Sequence, residues 1–184
     1  MDLKTPLSEQ DIRRLRTGDI IYVSGTLVTA RDGAHKRVLS NCGDIPVDMR
    51  GLVLYHCGPV AKKVGDEWVI LSAGPTTSYR LEDMEADFIK CTGVRMIVGK
   101  GGMGEKTTGA CMEYGAVYCS FTGGASLLAA RSIKKVKDVF WLDMGIPEAL
   151  WVFEVERFGP LVVSIDAHGN NLHQEVINRA KSRV

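Results

Sequence analysis

Short apolar runs bounded by glycines recur along the chain and alternate with segments of helical spacing. The apolar runs are GLVLYHCG, DEWVILSAG, VRMIVGK and AVYCSF, and they are rich in valine and isoleucine. Runs of this length and composition predict strands. The segments MEADFIKCTG, EKTTGACMEYG and GGASLLAARSI carry apolar residues at helical spacing. This alternation favours β/α units with some parallel pairing, so we expect an α/β fold.

The first forty residues predict a helix, a long apolar segment and a helical turn. Ser8 is suited to cap a short helix that starts after it. The segment DIIYVSGTLVTA predicts one or two strands broken at Gly25. Residues 34–39 then have the spacing of a helical turn.

The last part of the chain predicts two strands and a closing helix. ALWVFEVERF and GPLVVSIDA are apolar segments on either side of a turn signal at residues 158–160. Residues 171–184 predict an amphipathic helix, which serves either as a cap on the fold or as a partner contact. Because the chain contains no repeat, low-complexity stretch or linker, we expect residues 1–184 to form a single domain.

Composition and charge exclude several functional classes. Hydrophobic residues make up 45% of the chain and charged residues 24%, which is ordinary for a globular protein. The net charge of +1 gives no reason to expect a nucleic acid or an acidic membrane surface as partner. No apolar run approaches the roughly 20 residues of a membrane helix. The charged N-terminus lacks the apolar core of a signal peptide, so we expect a cytoplasmic protein.

Cysteines and histidines give no local metal motif. The five cysteines are Cys42, Cys57, Cys91, Cys111 and Cys119, and no two form a CxxC pair. In a cytoplasmic chain we expect them to be reduced and buried, packed as small hydrophobes. Ligation of a metal cluster is the alternative, because clusters often draw ligands from distant positions. His35 and His56 are isolated in the sequence, and we predict no metal site.

Three polar segments follow predicted strands. They are SGTLVTARDGAHKR at residues 24–37, SAGPTTSYR at residues 72–80 and VGKGGMG at residues 98–104. Their charged and hydroxyl side chains include Arg31, Asp32, His35, Lys36, Thr76, Thr77, Ser78, Arg80 and Lys100. In open α/β sheets, ligands bind outside the carboxyl ends of the strands, so these segments are candidates for one shared site.

The chemistry of these segments suits a small polyanion. An arginine matches a carboxylate with two parallel hydrogen bonds, and a lysine adds a compact positive charge. The turn hydroxyls can bind the same anion or take part in proton transfer. A surface of solvated charges and ordinary turn formers is the alternative. A helix start after TGGAS, residues 122–126, is a second candidate for anion binding, or simply a tight turn.

Five segments together resemble the beta region of class I fumarases and of L-tartrate dehydratase. They are SGTLVTARDGAHKR, PVDMRGLVLYHCGPV, AGPTTSYRLEDM, VGKGGM and DMGIPEALWVFEVERFGPLVVSIDAHGNNL. The segments occur in the family's order, and the resemblance as a whole runs from about residue 10 to residue 172, which is nearly the whole chain. ARDGAH and GPTTSYR are the most specific of these motifs.

The resemblance implies a fold and an activity. The fold is that of the swivelling β/β/α domain of aconitase-like enzymes. The activity is that of a hydro-lyase interconverting L-malate and fumarate, within a hetero-oligomer that needs a separate alpha subunit. That subunit supplies three cysteines for a 4Fe–4S cluster, and the five cysteines here do not correspond to those ligands. The alternatives are a dehydratase of L-tartrate or another hydroxy diacid, and a non-catalytic anion-binding or assembly module.

The resemblance also implies which residues bind the substrate. Arg31 in ARDGAH, Arg80 in GPTTSYR and Lys100 in VGKGG correspond to groups that bind the dicarboxylate. Thr77 lies between Thr76 and Arg80 in GPTTSYR, and we place it with the substrate-binding residues.

Three further residues are expected to take part in catalysis. Thr76 resembles the residue proposed in the family as the base that removes the carbon-bound proton. A threonine hydroxyl is a poor base, so it needs activation by neighbouring charge. Asp32 and His35 are expected to support this step, either by orienting Arg31 or by relaying a proton. A purely structural role is the alternative for His35.

Overall fold

A mixed seven-stranded sheet forms the centre of the protein in a computed structural model that describes residues 1–182. Its strands are β1 (Asp2–Lys4), β2 (Ile20–Thr29), β3 (Val53–Tyr55), β6 (Met96–Gly99), β7 (Val117–Ser120), β8 (Ile133–Phe140) and β9 (Leu150–Ile165). A separate hairpin contains β4 (Val60–Val64) and β5 (Glu67–Ser72). The helices are α1 (Glu9–Arg13), α2 (Asp32–Ser40), α3 (Glu82–Thr92), α4 (Glu105–Tyr114), α5 (Ser126–Ser132) and α6 (Leu172–Lys181). The expected α/β class is confirmed.

The sheet closes on itself through its longest strand. β2, β3, β6 and β7 pair in parallel in that order. β9 pairs antiparallel with β7 and also with β2, which completes the ring. β1 extends from β2, and β8 extends from β9. Because parallel strands run in one direction, the carboxyl ends of β2, β3 and β6 meet at one end of the sheet.

Two apolar clusters lie on the opposite faces of this sheet. Along β3, Val53 and Tyr55 belong to one cluster and Leu54 to the other, as the alternation of side chains in a strand requires. The Leu54 cluster includes residues of α2, α3 and α4. The Tyr55 cluster includes residues of α1 and α5 and packs against the β4–β5 hairpin. The swivelling motion expected for this fold stays a prediction.

β9 is one strand of 16 residues, so the predicted turn between two strands at residues 158–160 is wrong. Its pairing with β2 runs from Trp151 opposite Thr29 to Val162 opposite Ile20. The register shifts twice along this pairing, and Arg157 has a positive φ of 47°. The local turn signal therefore produces bulges within a strand, because a long partner strand continues to pair with both halves.

The structure adds strands that the sequence pattern did not predict. β4 (VAKKV) and β8 (IKKVKDVF) carry lysines at several positions and are largely exposed. β8 lies at the edge of the sheet, where charged side chains discourage pairing with other chains. Such strands lack the continuous apolar run by which buried strands are identified.

Cys42 and Cys91 form a disulfide, which contradicts the expectation that all five thiols are reduced. Cys42 follows α2 and Cys91 lies in the last turn of α3, and the packing of these helices brings the two Cα atoms to 5.9 Å. The remaining free cysteines, Cys57, Cys111 and Cys119, are buried as expected. Burial raises the pKa of the Cys57 thiol to about 12, so this thiol stays protonated and unreactive.

α6 confirms the predicted closing helix as far as Lys181. The Asn171 side chain caps it by accepting hydrogen bonds from the backbone N–H groups of His173 and Gln174. The predicted end of the helix, residues 183 and 184, lies outside the described residues. Within residues 1–182, no helix is both long and apolar enough to cross a membrane.

Gly25 of β2 lies in close contact with Thr5 of the N-terminal segment, and a substitution at Gly25 tests this contact. Its φ is 106°, and a Cβ there would lie 2.5 Å from Thr5 Oγ1 and 3.2 Å from the Thr5 carbonyl oxygen. We expect Gly25→Ala to lower the free energy of unfolding by about 2 kcal/mol and the Tm by roughly 4–8 °C. Gly43→Ala is the matched control, because a Cβ at Gly43 meets no atom within 4 Å. Thermal unfolding followed by circular dichroism measures both, and equal Tm values would contradict the expectation.

Candidate functional site

The carboxyl ends of neighbouring parallel strands bring the three polar segments together. Arg31 follows β2, and Lys100 follows β6. The Thr76 N–H donates to the carbonyl oxygen of His56, the first residue after β3, at 2.7 Å. The Lys100 N–H donates to the Thr76 carbonyl at 3.3 Å, and the Ser78 N–H donates to the Lys100 carbonyl at 2.9 Å. Backbone hydrogen bonds therefore fix the turn of residues Thr76–Ser78, called the threonine turn below, beside Lys100.

Arg80 connects the threonine turn to the start of α2. Its Nη2 donates to Asp32 Oδ2 at 3.1 Å and to Thr76 Oγ1 at 3.0 Å. The Arg80 side chain keeps 48% of its surface exposed, so part of its guanidinium group is free for a ligand. A guanidinium that donates to a hydroxyl oxygen favours the deprotonated form of that hydroxyl. This arrangement supplies the neighbouring charge that a threonine base needs.

Arg31 is held in place by Glu148, a residue of the loop before β9. Arg31 Nε lies 3.2 Å from Glu148 Oε1, and the Gly33 N–H donates to Glu148 Oε2 at 2.8 Å. A Cβ at Gly58 would lie 2.7 Å from Arg31 Cδ, so the absence of a side chain there leaves room for the arginine. Sequence reasoning missed Glu148, because a contact across more than a hundred residues leaves no local signal.

Thr77 and Lys100 lie next to Thr76. They form an isolated parallel bridge, and Thr77 is exposed. The Lys100 Nζ lies 3.6 Å from the place that a Cβ of Gly123 would take. The TGGAS segment, considered from the sequence as a second anion site, therefore lies next to Lys100.

A buried polar network lies behind this surface. Glu85 on α3 is fully buried, and its Oε2 lies 3.3 Å from His35 Nε2 and 3.0 Å from His56 Nε2. The two histidines, which are isolated in the sequence, are also fully buried and meet at this carboxylate. His35 Nδ1 lies 2.9 Å from the Arg31 carbonyl oxygen. His35 thus contacts Arg31 from the interior and does not reach the surface formed by Arg31, Thr76 and Arg80.

Protonation in this network follows from burial and mutual contact. Burial by itself would raise the pKa of the Glu85 carboxyl, but the interactions with His56 and His35 outweigh it and hold the pKa at about 2. Burial lowers the pKa of His56 despite the attraction of Glu85. Near neutral pH, Glu85 is therefore ionised and His56 is neutral.

Glu85 could have been noticed from its place in the helical pattern. Leu81, Glu85, Phe88 and Thr92 recur at helical spacing, and all four are buried. An acidic residue on the apolar stripe of a helix needs a buried partner, because an unpaired buried charge is strongly unfavourable. The pattern does not identify the partners, since His35 and His56 lie in other segments.

The network is also the one cluster of metal-ligand side chains found among residues 1–182. The donor atoms of His35, His56 and Glu85 all lie within 4.8 Å of one another. None of the three is a cysteine. The described part of the chain therefore does not bring together the cysteines that an iron–sulfur cluster requires, and its residues do not fit such a cluster.

Comparisons with known proteins identify related chains. The family model described as "Fumarase C-terminus" matches residues 1–176. The L(+)-tartrate dehydratase subunit beta of Escherichia coli (strain K12) is 47% identical over 173 residues, covering 94% of this chain and 86% of that protein. A putative L(+)-tartrate dehydratase subunit beta of Methanocaldococcus jannaschii is 45% identical over 182 residues, covering 97% and 93%. A putative fumarate hydratase class I of Geobacillus stearothermophilus is 43% identical over 175 residues, covering 95% of this chain and 34% of that protein.

The acid dependence of stability tests the buried carboxylate. The folded-state pKa of Glu85, about 2, lies below its ordinary value of 4.5. Glu85 therefore contributes stability above about pH 4.5, and this contribution is lost as the pH falls toward 2. Across this window we expect the free energy of unfolding of the wild type to fall by roughly 2–3 kcal/mol more than that of Glu85→Gln. Denaturant titrations at several pH values measure the difference, and parallel curves would contradict it.

Proposed function

The chain belongs to the fumarase C-terminus family, and from that premise we propose that it is the beta subunit of a hydro-lyase acting on a hydroxy dicarboxylate. The observation that carries the proposal is the contact of Arg80 with both Thr76 and Asp32, beside Arg31 and Lys100. Two guanidinium groups and an ammonium group suit a carboxylate, and a hydroxyl among them suits proton transfer. These residue types meet where parallel strands end, which is where α/β sheets bind ligands.

L-malate and fumarate are the substrate pair of this proposal. L-tartrate is the second candidate, and the observation favouring it is the 47% identity to the tartrate dehydratase subunit beta of Escherichia coli. Malate and tartrate differ by one hydroxyl group, so the same cationic side chains suit a carboxylate of either acid.

The proposal assigns the 4Fe–4S cluster to a partner alpha subunit. Two observations support this assignment: relatives of the chain are named as beta subunits, and the described residues of this chain bring no three cysteines together. When bound, the cluster supplies a Lewis acid for the substrate hydroxyl. The residues of this chain then have two tasks, which are to hold a carboxylate and to move the proton on the adjacent carbon.

The proton-transfer step assigns a task to each surface residue. Thr76 Oγ1 accepts the proton from the carbon next to the held carboxylate, and the electron pair of the broken C–H bond is delocalised into that carboxylate. The carboxylate thereby gains negative charge, and the cationic groups of Arg31, Arg80 and Lys100 stabilise it. Arg80 also stabilises the deprotonated form of Thr76 through its hydrogen bond, while Asp32 orients the Arg80 guanidinium.

Anaerobic reconstitution tests the proposed function. The chain is co-expressed with its candidate alpha subunit, the cluster is reconstituted, and fumarate absorbance is followed with L-malate; L-tartrate is assayed separately. We expect turnover only when both chains are present. A preference for L-tartrate would select the second candidate. Turnover by this chain alone, or an assembled complex that is inactive with both acids, would contradict the proposal.

Arg80→Ala tests the carboxylate-binding role. Removal of the guanidinium group takes one of its donors from the carboxylate and the Arg80 hydrogen bond from Thr76, so we expect kcat/KM of the complex to fall by about 100-fold or more. The matched control is Arg50→Ala, because Arg50 is an exposed arginine whose ion pair is with Asp48. Its kcat/KM should stay within about twofold of the wild type. Near-normal turnover of Arg80→Ala in an intact complex would rule out the role.

Thr76→Val tests the proposed base. Valine keeps the shape of threonine but has no hydroxyl, so we expect kcat to fall by at least about 100-fold while KM changes much less. Thr76→Ser restores the hydroxyl and should recover most of kcat. Exchange of the carbon-bound proton of malate in D2O, followed by NMR, should slow in parallel with kcat. If Thr76→Val exchanges that proton at the wild-type rate, another group is the base.

A further inference from the structure

The buried network reaches the proposed site at two separate places. On one side, the backbone N–H and ring Nδ1 of His35 both lie 2.9 Å from the Arg31 carbonyl oxygen. On the other side, His56 Nδ1 lies 2.9 Å from Ser78 Oγ, and the His56 carbonyl accepts from the Thr76 N–H. Glu85 lies between the two rings. The Glu85 carboxylate therefore connects the backbone at Arg31 to the turn of residues Thr76–Ser78.

The positions of the protons can be followed from the outer end of the network. The Tyr118 hydroxyl donates to Ser78 Oγ at 3.0 Å, so the Ser78 hydroxyl keeps its own proton for donation. That proton is directed to His56 Nδ1, which then acts as the acceptor nitrogen of a neutral ring. His56 then carries its single ring proton on Nε2, which lies 3.0 Å from Glu85 Oε2 but is not aligned with it as a hydrogen bond.

The other histidine requires an additional proton. A carbonyl oxygen only accepts, so His35 Nδ1 must donate to the Arg31 carbonyl. His35 Nε2 then lies 3.3 Å from a carboxylate oxygen, which is also an acceptor. A neutral imidazole has one ring proton, and Nδ1 already holds it. A further proton must therefore lie between His35 and Glu85, or two acceptors would face each other in the core.

We propose that Glu85, His35 and His56 are positioning residues, with one buried proton shared between Glu85 and His35, and that they hold Arg31 and the Thr76–Ser78 turn in place for the reaction. This inference rests on the proposed function, because it concerns the same site. Glu85 is fully buried and does not touch the substrate. It acts through His35 on the backbone of Arg31, and through His56 on the backbone of Thr76 and the side chain of Ser78.

Other ionisable groups near the network leave this arrangement of protons in place. The groups that face it from the neighbouring elements are Asp32 of α2, Cys111 of α4 and Tyr118 of β7. Burial raises the pKa values of Cys111 and Tyr118, so both are neutral at ordinary pH. Phe88 covers His35, with the ring centroids 4.3 Å apart, and contributes no charge.

The donor atoms of His35, His56 and Glu85 could instead bind a metal ion. His35 Nε2 lies 3.3 Å from Glu85 Oε2 with the geometry of a hydrogen bond, and the shared proton satisfies this contact, whereas His56 Nε2 lies 3.0 Å from the same oxygen without that alignment. The proton therefore accounts for the contact between His35 and Glu85 without an ion. Bound metal remains a measurable outcome that would overturn the inference.

Two substitutions of Glu85 separate positioning from simple packing. In Glu85→Gln, an amide nitrogen in the place of Oε2 can donate to the Nε2 of a neutral His35, so the hydrogen bond to His35 forms without the shared proton. In Glu85→Leu this hydrogen bond cannot form. In the reconstituted alpha–beta complex we expect Glu85→Leu to lower kcat by roughly 100-fold, and Glu85→Gln to stay within about threefold of the wild type. Wild-type kcat in Glu85→Leu would overturn the inference.

A stability control distinguishes positioning from loss of the fold. Leu15→Ala removes a fully buried side chain from the apolar cluster on the opposite face of the sheet. We expect it to lower the Tm of the complex while kcat, measured well below that Tm, stays within about twofold of the wild type. If Leu15→Ala and Glu85→Leu lower the Tm by the same amount and also lower kcat by the same factor, the network has no specific role in the reaction.

NMR of the full chain with labelled histidine ring nitrogens tests the shared proton without any activity. We expect His35 to carry protons on both ring nitrogens and His56 on one, and Glu85→Gln to return His35 to a single ring proton. Two singly protonated histidines in the wild type, or one equivalent of bound metal that Glu85→Leu abolishes, would overturn the inference. An inactive wild-type complex with this NMR pattern intact would instead count against the proposed function alone.

Discussion

The carboxylate of Glu85, held between two imidazoles inside the protein, is the interaction on which the site depends. A buried charge is tolerated only where its partners lie at hydrogen-bond distance, so α3, the start of α2 and the end of β3 must keep fixed relative positions. Those same positions carry Arg31 and the Thr76–Ser78 turn. The interior contact thus decides where the surface groups lie, which is why we assign it a positioning role.

The surface groups lie at the end of the sheet where β2, β3 and β6 finish. Arg31, Thr76, Arg80 and Lys100 come from three segments of the chain and keep part of their surface exposed. Such an arrangement suits a site that a second protein surface completes, with the cluster on the partner in our proposal. In the putative fumarate hydratase of Geobacillus stearothermophilus, the region matching this chain makes up only 34% of the protein, so there it is joined to further sequence.

Short motifs at strand ends allowed the surface residues of the candidate site to be proposed from the sequence, but not the residues beneath them. ARDGAH and GPTTSYR each keep several polar residues within a few positions, and the structure brings Asp32, Thr76 and Arg80 into contact. Glu148 and Glu85 escaped prediction because their partners are distant in the sequence. β9 was divided wrongly for a related reason, since pairing with β2 overrides a local turn signal.

A crystal structure of the alpha–beta complex with a non-reacting dicarboxylate tests the central claim most directly. We expect one carboxylate of the ligand at about 3 Å from the Arg80 guanidinium and from Arg31 or Lys100, with the Thr76 hydroxyl next to the adjacent carbon. Glu85 should remain in contact with His35 and His56 beneath them. A ligand whose carboxylates are held only by residues of the partner would contradict the assignment of substrate binding to this chain.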